Sequence, residues 1–233
     1  MGAQLRVHRF LARTSAEGPG VRACIWVQGC SIGCPGCAVP NTWRHAGGDV
    51  VDVDDLVTSI DREKDLEGVT FVGGEPFEQP RALAEIGMRV RARGLSVVTF
   101  SGMYLEDIQE QHDPDCDALL GVTDLLIDGP FIRELPDTTR PWVGSTNQRF
   151  HFLTDRYAHF VDCLRTIPNR LEIHVAVNGV VRVNGMAPAK ILEALGGPPA
   201  MINAIARPVA SNSPETSMSC NPVLEDPTAI GEA

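Results

Sequence analysis

The sequence lacks a run approaching the roughly 18 consecutive apolar residues of a membrane span, so no membrane association is expected. It lacks an excess of basic charge. Twenty Lys and Arg face thirty Asp and Glu, for a formal net charge of −10. Nucleic acid is therefore not an expected partner, because phosphate binding needs clustered cations. A secretory signal core is missing, since Met1 to Leu11 interrupts short apolar stretches with Arg6, His8 and Arg9. The Ser or Thr that myristoylation of Gly2 requires is also missing, because Arg6 stands there. The seven cysteines are an odd number, which argues against a full disulfide framework. A cytoplasmic location is expected, where cysteines serve as metal ligands or core residues. There is no internal repeat. What is present suits a globular fold: 43% hydrophobic residues in 233, or one to two domains at about 150 residues each.

Strands are expected at Leu5–Arg13, Val21–Val27, Val69–Val72, Leu95–Phe100 and Leu125–Ile127. Helices are expected at Asp52–Ile60, Arg81–Arg93 and Met103–Gln111, with Gly94 ending the second. Strands that alternate with helices imply an α/β fold with a parallel sheet, whose ligands sit in the loops after the strands. The unusual features fall in those loops: the cysteine loop, Gly73-Gly74-Glu75-Pro76, Ser101-Gly102 and Asp128-Gly129. Trp142–Arg149 reads as a polar loop and Phe160–Thr166 as helical. Leu171–Val177 and Val180–Val183 flank Asn178-Gly179, a hairpin signal. Ala187–Leu195 suits a short helix, and the chain from Pro198 reads as a poorly ordered tail.

Cys30, Cys34 and Cys37 form a C-x3-C-x2-C set with glycines and a proline between them. Structural zinc and 4Fe–4S sites both usually take four protein ligands. Three thiolates leave one coordination position open, which suggests chemistry rather than scaffolding. A zinc knuckle completed by His45, or three core cysteines, are the plainer readings. Gly73-Gly74-Glu75-Pro76 taken alone is a tight turn. Its glycines allow close approach, and its carbonyls can accept from an ammonium.

Taken together these motifs resemble the radical SAM superfamily, and within it the activating proteins of anaerobic ribonucleotide reductase. The resemblance rests on Gly18-Pro19-Gly20-Val21-Arg22, on Gly29-Cys30 through Cys34-Pro35-Gly36-Cys37, and on Asn41-Thr42-Trp43. It continues through Gly73-Gly74-Glu75-Pro76, Ser101-Gly102, Leu126–Phe131 and Trp142–Gln148. It covers about residues 5 to 150. It implies that Cys30, Cys34 and Cys37 ligate a 4Fe–4S cluster whose open iron takes S-adenosylmethionine (SAM). SAM would lie along Gly36, Cys37 and Ala38 and the Gly73–Pro76 turn, with Ser101 and Asp128 nearby. Reductive cleavage to a 5′-deoxyadenosyl radical would follow, then hydrogen abstraction from a glycine of a partner such as an anaerobic ribonucleotide reductase. An electron donor such as flavodoxin or ferredoxin is implied. Action on a small metabolite or peptide, or a non-catalytic iron–sulfur or zinc protein, are the alternatives.

Relatives carry Lys or Arg after the Asp-Gly pair, where this chain has Pro130. Arg133 or Arg140 is the expected replacement against the SAM carboxylate. The implied fold is an incomplete (β/α) barrel over residues 1–150, since a full one needs about 250 residues. Residues 151–197 would add an accessory helix and a hairpin packed on the core, covering the open edge or contacting a partner, and residues 198–233 a flexible tail. Cys24, Cys116, Cys163 and Cys220 are expected to be incidental or packing residues. His45 and His151 read as surface or packing residues, and Trp26 and Trp43 as packing around the cluster.

Overall fold

A computed structural model of the chain describes residues 2–175 and 181–186. Seven strands form one sheet in the order β3-β1-β2-β4-β5-β6-β7. They are β1 (Gln4–Thr14), β2 (Arg22–Val27), β3 (Asp49–Asp52), β4 (Gly68–Gly73), β5 (Ser96–Phe100), β6 (Leu125–Asp128) and β7 (Arg149–Phe152). The four central strands, β2, β4, β5 and β6, run parallel. The flanking pairs β1–β2, β1–β3 and β6–β7 are antiparallel. All six residues of β2 and all four of β6 are buried, which explains their continuous apolar runs.

The connections carry α1 (Val53–Asp61), α2 (Pro80–Arg91), α3 (Leu105–Glu110) and α4 (Pro114–Val122). One face of the sheet packs Ile25, Phe71, Val97 and Leu126 against Leu56, Leu83, Ile86 and Leu119 of these helices. On the other face Val98, Leu125 and Ile127 pack with Trp142, Val143 and Tyr157. Each such fully buried aliphatic or aromatic side chain contributes about 1.5–3 kcal/mol by leaving water. No helix among the described residues is long and apolar enough to cross a membrane.

Several elements differ from expectation. β3 is mostly exposed and β7 only four residues long, so neither stands out as an apolar run. β7 begins at the end of the expected polar loop. The segment expected to be helical at Phe160–Thr166 is two 3-10 turns, Asp155–Phe160 and Leu164–Thr166.

The hairpin forms, as β8 (Leu171–Val175) against β9 (Val181–Gly185). It makes a sheet of its own and adds no strand to an open edge. Side chains attach it instead. Glu172 accepts from Ser15 N (2.6 Å), Ser15 Oγ (2.8 Å) and Thr14 Oγ1 (2.6 Å). Asn184 Nδ2 donates to Thr14 Oγ1 (2.7 Å), and Gly185 N to Glu17 Oε1 (3.1 Å). The expected Asn178-Gly179 turn, the helix at 187–195 and the tail lie outside the described residues.

At the starting end of the parallel strands Arg22 is wholly buried. Its guanidinium donates to Thr70 Oγ1, Ser96 Oγ, Tyr157 OH and the carbonyls of Pro19 and Val69. Tyr157 OH passes a hydrogen bond on to Glu67 (3.0 Å). The Gly18-Pro19-Gly20 motif therefore lies over this arginine, at the opposite end of the strands from the cysteines.

Candidate active site

The cysteine loop follows β2, the Gly73–Pro76 turn ends β4, Ser101 follows β5, and Asp128 ends β6. All the expected site residues are thus placed by the finishing ends of parallel strands or the loops leaving them, Arg133 on the loop that leaves β6.

The start of the cysteine loop is tied down by its backbone. Gly29 N donates to Thr42 O (2.7 Å) and Cys30 N to Trp43 O (3.2 Å). Gly29 O accepts from Glu75 N, and Gly74 N donates to Val27 O, both at 2.8 Å. A Cβ on Gly74 would collide with the Gly29 carbonyl. What approaches this glycine closely is therefore the chain's own cysteine loop, a reason for the residue that holds before any ligand arrives.

Cys30, Cys34 and Cys37 are free thiols of intermediate exposure. Burial pushes Cys30 and Cys34 upward, which disfavours their thiolates. Backbone N–H groups oppose this, from Gly33 and Ile32 at Cys30 and from Phe131 at Cys34. Val39 N donates to Cys37 Sγ (3.4 Å). Every sulfur of the triad is thus met by at least one amide. Among the described residues no three His, Cys, Asp or Glu groups gather closely enough to hold a single metal ion. One zinc ion would need its sulfur ligands about 2.3 Å from a common point, whereas a cluster offers each cysteine a separate iron. His45, the fourth ligand of the zinc reading, turns Nε2 to Glu78 Oε2 at 2.7 Å instead.

Glu75 is buried, and burial raises its carboxyl to about 7. Oε1 accepts from Phe77 N (3.0 Å) and Ser101 Oγ (3.0 Å), and Oε2 from Gly102 N (2.8 Å). The turns after β4 and β5 are joined through this one side chain. Pro76 is buried beside it, where it opens a 3-10 turn.

Asp128 is fully buried and its oxygens are taken by the protein. Oδ1 accepts from Arg149 Nε (3.0 Å). Oδ2 accepts from Arg149 Nη2 (2.5 Å) and Leu105 N (2.8 Å), and meets His151 Nε2 (2.9 Å). Arg149 also chelates Glu106 and lies 4.7 Å from the Tyr104 ring centre. His151, expected to be a surface or packing residue, is half-buried and sets its ring against a strand-end carboxylate. Arg140 is committed elsewhere, to Asp137 and to the carbonyls of Gln148, Ser145 and Thr146. Arg133 is exposed and, among the described residues, makes no hydrogen bond or ion pair. Its guanidinium lies over Gly36, where a Cβ would stand 2.6 Å from Nε. Of the two arginines expected to replace the missing basic residue, only this one reaches the cysteine loop uncommitted.

Among the described residues, two buried side-chain atoms near these loops have no hydrogen-bond partner, Trp43 Nε1 and Asn147 Oδ1. Asn147 Nδ2 is fixed on Pro130 O at 2.7 Å, which aims its oxygen. Unpaired buried polar atoms are costly and rare, so a donor and an acceptor are left here for something besides protein.

Residues 16–151 match the 4Fe-4S single cluster domain family. The chain is 30% identical over 161 residues to the anaerobic ribonucleoside-triphosphate reductase-activating protein of Salmonella typhimurium, covering 64% of this chain and 99% of that one. The Escherichia coli K12 protein of the same name is 28% identical over 160 residues, with the same coverage. The pyruvate formate-lyase-activating enzyme of Clostridium pasteurianum is 34% identical over 95 residues, 39% of this chain and 40% of that one. The chain belongs to the radical SAM activating enzymes. As such an activating enzyme it takes a 4Fe–4S cluster and SAM. The matched region holds the cysteine loop and strands β2 to β7 of the main sheet but for the last residue of β7, and neither β1 nor the hairpin.

Sequence reasoning found the cysteines and the Gly-Gly-Glu-Pro turn but not Glu78, Arg149 or Asn147. Glu78 lies two residues past the turn, and nothing in its spacing marks it. Asn147 is part of a motif that carries the resemblance, yet only the fold exposes its unpaired oxygen.

Proposed function

We propose that Cys30, Cys34 and Cys37 hold the 4Fe–4S cluster and that SAM binds between the cysteine loop and the turns after β4, β5 and β6. The observation that carries this reading is that three free thiols, each met by a backbone amide, lie on one short loop at the finishing end of β2. When bound, the pair supplies a low-potential electron and, from SAM, a 5′-deoxyadenosyl radical.

The chain's residues bind, orient and keep water out. Gly36, Cys37 and Ala38 line one side of SAM, and Gly36 has no side chain to fill the space beneath Arg133. Gly73, Gly74, Glu75 and Pro76 form the turn that receives the SAM ammonium, with Ser101 and Gly102 holding Glu75 in place. Arg133 faces the SAM carboxylate in place of the basic residue missing at Pro130. Asp128, its oxygens already filled, acts by positioning Arg149, His151 and the start of α3 rather than by touching SAM. Trp43 and Asn147 offer the bound groups a donor and an acceptor.

The sheet with its helix-covered face is the wall of an incomplete (β/α) barrel spanning residues 1–150, with 151–197 as an accessory segment and 198–233 as a tail. An open barrel suits a loop of a large protein substrate. The names of the relatives favour a glycyl-radical enzyme, such as an anaerobic ribonucleotide reductase, over a small metabolite or peptide. Flavodoxin or ferredoxin serves as electron donor. Anaerobic reconstitution with iron and sulfide, then dithionite and SAM, is expected to yield 5′-deoxyadenosine. A co-encoded glycyl-radical partner is then expected to show a glycine-centred EPR signal. No 5′-deoxyadenosine from fully loaded protein overturns the site. Product without a glycine signal on any such partner moves the substrate to a small molecule.

A further inference from the structure

We infer that Glu78 is a positioning residue that fixes the first-cysteine end of the loop, an inference that rests on the cluster reading above. Its carboxylate joins three chain segments that the sequence keeps far apart. Oε1 accepts from Ser31 N at 2.7 Å, one residue past Cys30. Oε2 meets His45 Nε2 at 2.7 Å. Glu78 itself ends the 3-10 turn that begins at Pro76, so its backbone is set by the same turn as Glu75. The His45 ring lies on Gly29, where a Cβ would stand 2.9 Å from its Cδ2.

Residues 29–31, 42–45 and 75–78 are thereby locked together around Cys30. Gly29 and Cys30 use backbone partners for this. Ser31 N has Glu78 alone among the described residues. The far part of the loop is built differently, since around Gly33 there is open space for 4 Å where a Cβ would sit. A charge-assisted bond to a backbone N–H is stronger than a neutral one. The single carboxylate is therefore the brace that keeps Cys30 from swinging away when the loop flexes. His45, exposed at its tip, keeps that carboxylate turned toward the loop.

The test loads wild type, Glu78→Ala, Glu78→Gln and His45→Ala anaerobically with iron and sulfide. Cluster loss to EDTA is then followed by absorbance, with a thermal melt of each apo-protein alongside. Glu78→Ala is expected to lose its cluster at least about tenfold faster than wild type, the scale of one charged hydrogen bond. Glu78→Gln keeps the acceptor for Ser31 N and is expected to stay within about twofold, with His45→Ala between the two. Wild-type retention by Glu78→Ala overturns the inference, and so does a Glu78→Gln rate equal to that of Glu78→Ala. If Glu78→Ala fails to load or fold, His45→Ala decides: faster loss supports the brace and an unchanged rate overturns it. Cys34→Ala separates the two readings. Iron retained by Cys34→Ala sinks the cluster site itself, whereas iron lost there but held normally by Glu78→Ala sinks only the brace.

Discussion

The two ends of the parallel strands are built on opposite rules. At the starting end one buried arginine, Arg22, spends its donors on Thr70, Ser96, Tyr157, Pro19 and Val69. At the finishing end Trp43 Nε1 and Asn147 Oδ1 are buried without partners among the described residues, and Glu75 is buried as a carboxyl raised to about 7. The first end is polar and complete. The second is polar and incomplete, and its shortfall is what a ligand can make good. A fold that left both ends unfinished would lose stability twice, so a saturated base offsets an unsaturated rim.

The largest test of this contrast strikes the rim chemically. Cys34→Ala is expected to reduce bound iron to background and abolish 5′-deoxyadenosine formation, while the melting curve of the apo-protein barely moves. The next strikes the base. Arg22→Met orphans several acceptors at once and is expected to cost about 3–5 kcal/mol in urea unfolding. A neutral result there would show that the base is not the stabilising end.

A third test uses acidity. Glu75 titrates near 7 in the fold against a usual 4.5. Between those values the native state binds a proton that the unfolded chain releases. Apo-protein stability should therefore fall as pH rises from about 4.5 to about 7, by up to about 3 kcal/mol. Burial raises Glu17 to about 7 as well and adds a slope of the same sign, so Glu75→Gln, which keeps an acceptor and never ionises, should remove about half of the combined slope. An unchanged slope would place the titration elsewhere.

The smallest effect expected is at the loop's outer side. Arg133→Ala should weaken SAM binding to loaded protein about tenfold, by loss of one exposed charge contact, without altering iron content. Isothermal titration reads the first quantity and iron analysis the second.

Much of the finishing end could be read before the fold was known, because its chemistry is local. Three cysteines within eight residues and Gly73-Gly74-Glu75-Pro76 declare themselves by spacing. The central strands were legible for the same reason, being short apolar runs between turn residues. α4 was not, because Asp115 and Asp117 break its apolar pattern and Pro114 opens it. β7 was hidden by its length and by Arg149 and His151, whose task is to face Asp128 from 20 or more residues away. Arg22 was seen only as part of a motif, since its partners come from four separate stretches of chain. The glycines were read as room for a ligand, and at Gly74 the occupant is the backbone of Gly29. What sequence inspection missed is what tertiary contact creates.

Glu75 belongs by sequence to the loop after β4, but two of its three hydrogen bonds go to the loop after β5. Those two loops are consequently one heritable part. A transplant of the Gly-Gly-Glu-Pro turn into another scaffold has to bring Ser101-Gly102 with it, or the graft arrives with a buried acid and nothing to quiet it. Drift at either loop is likewise answerable to the other.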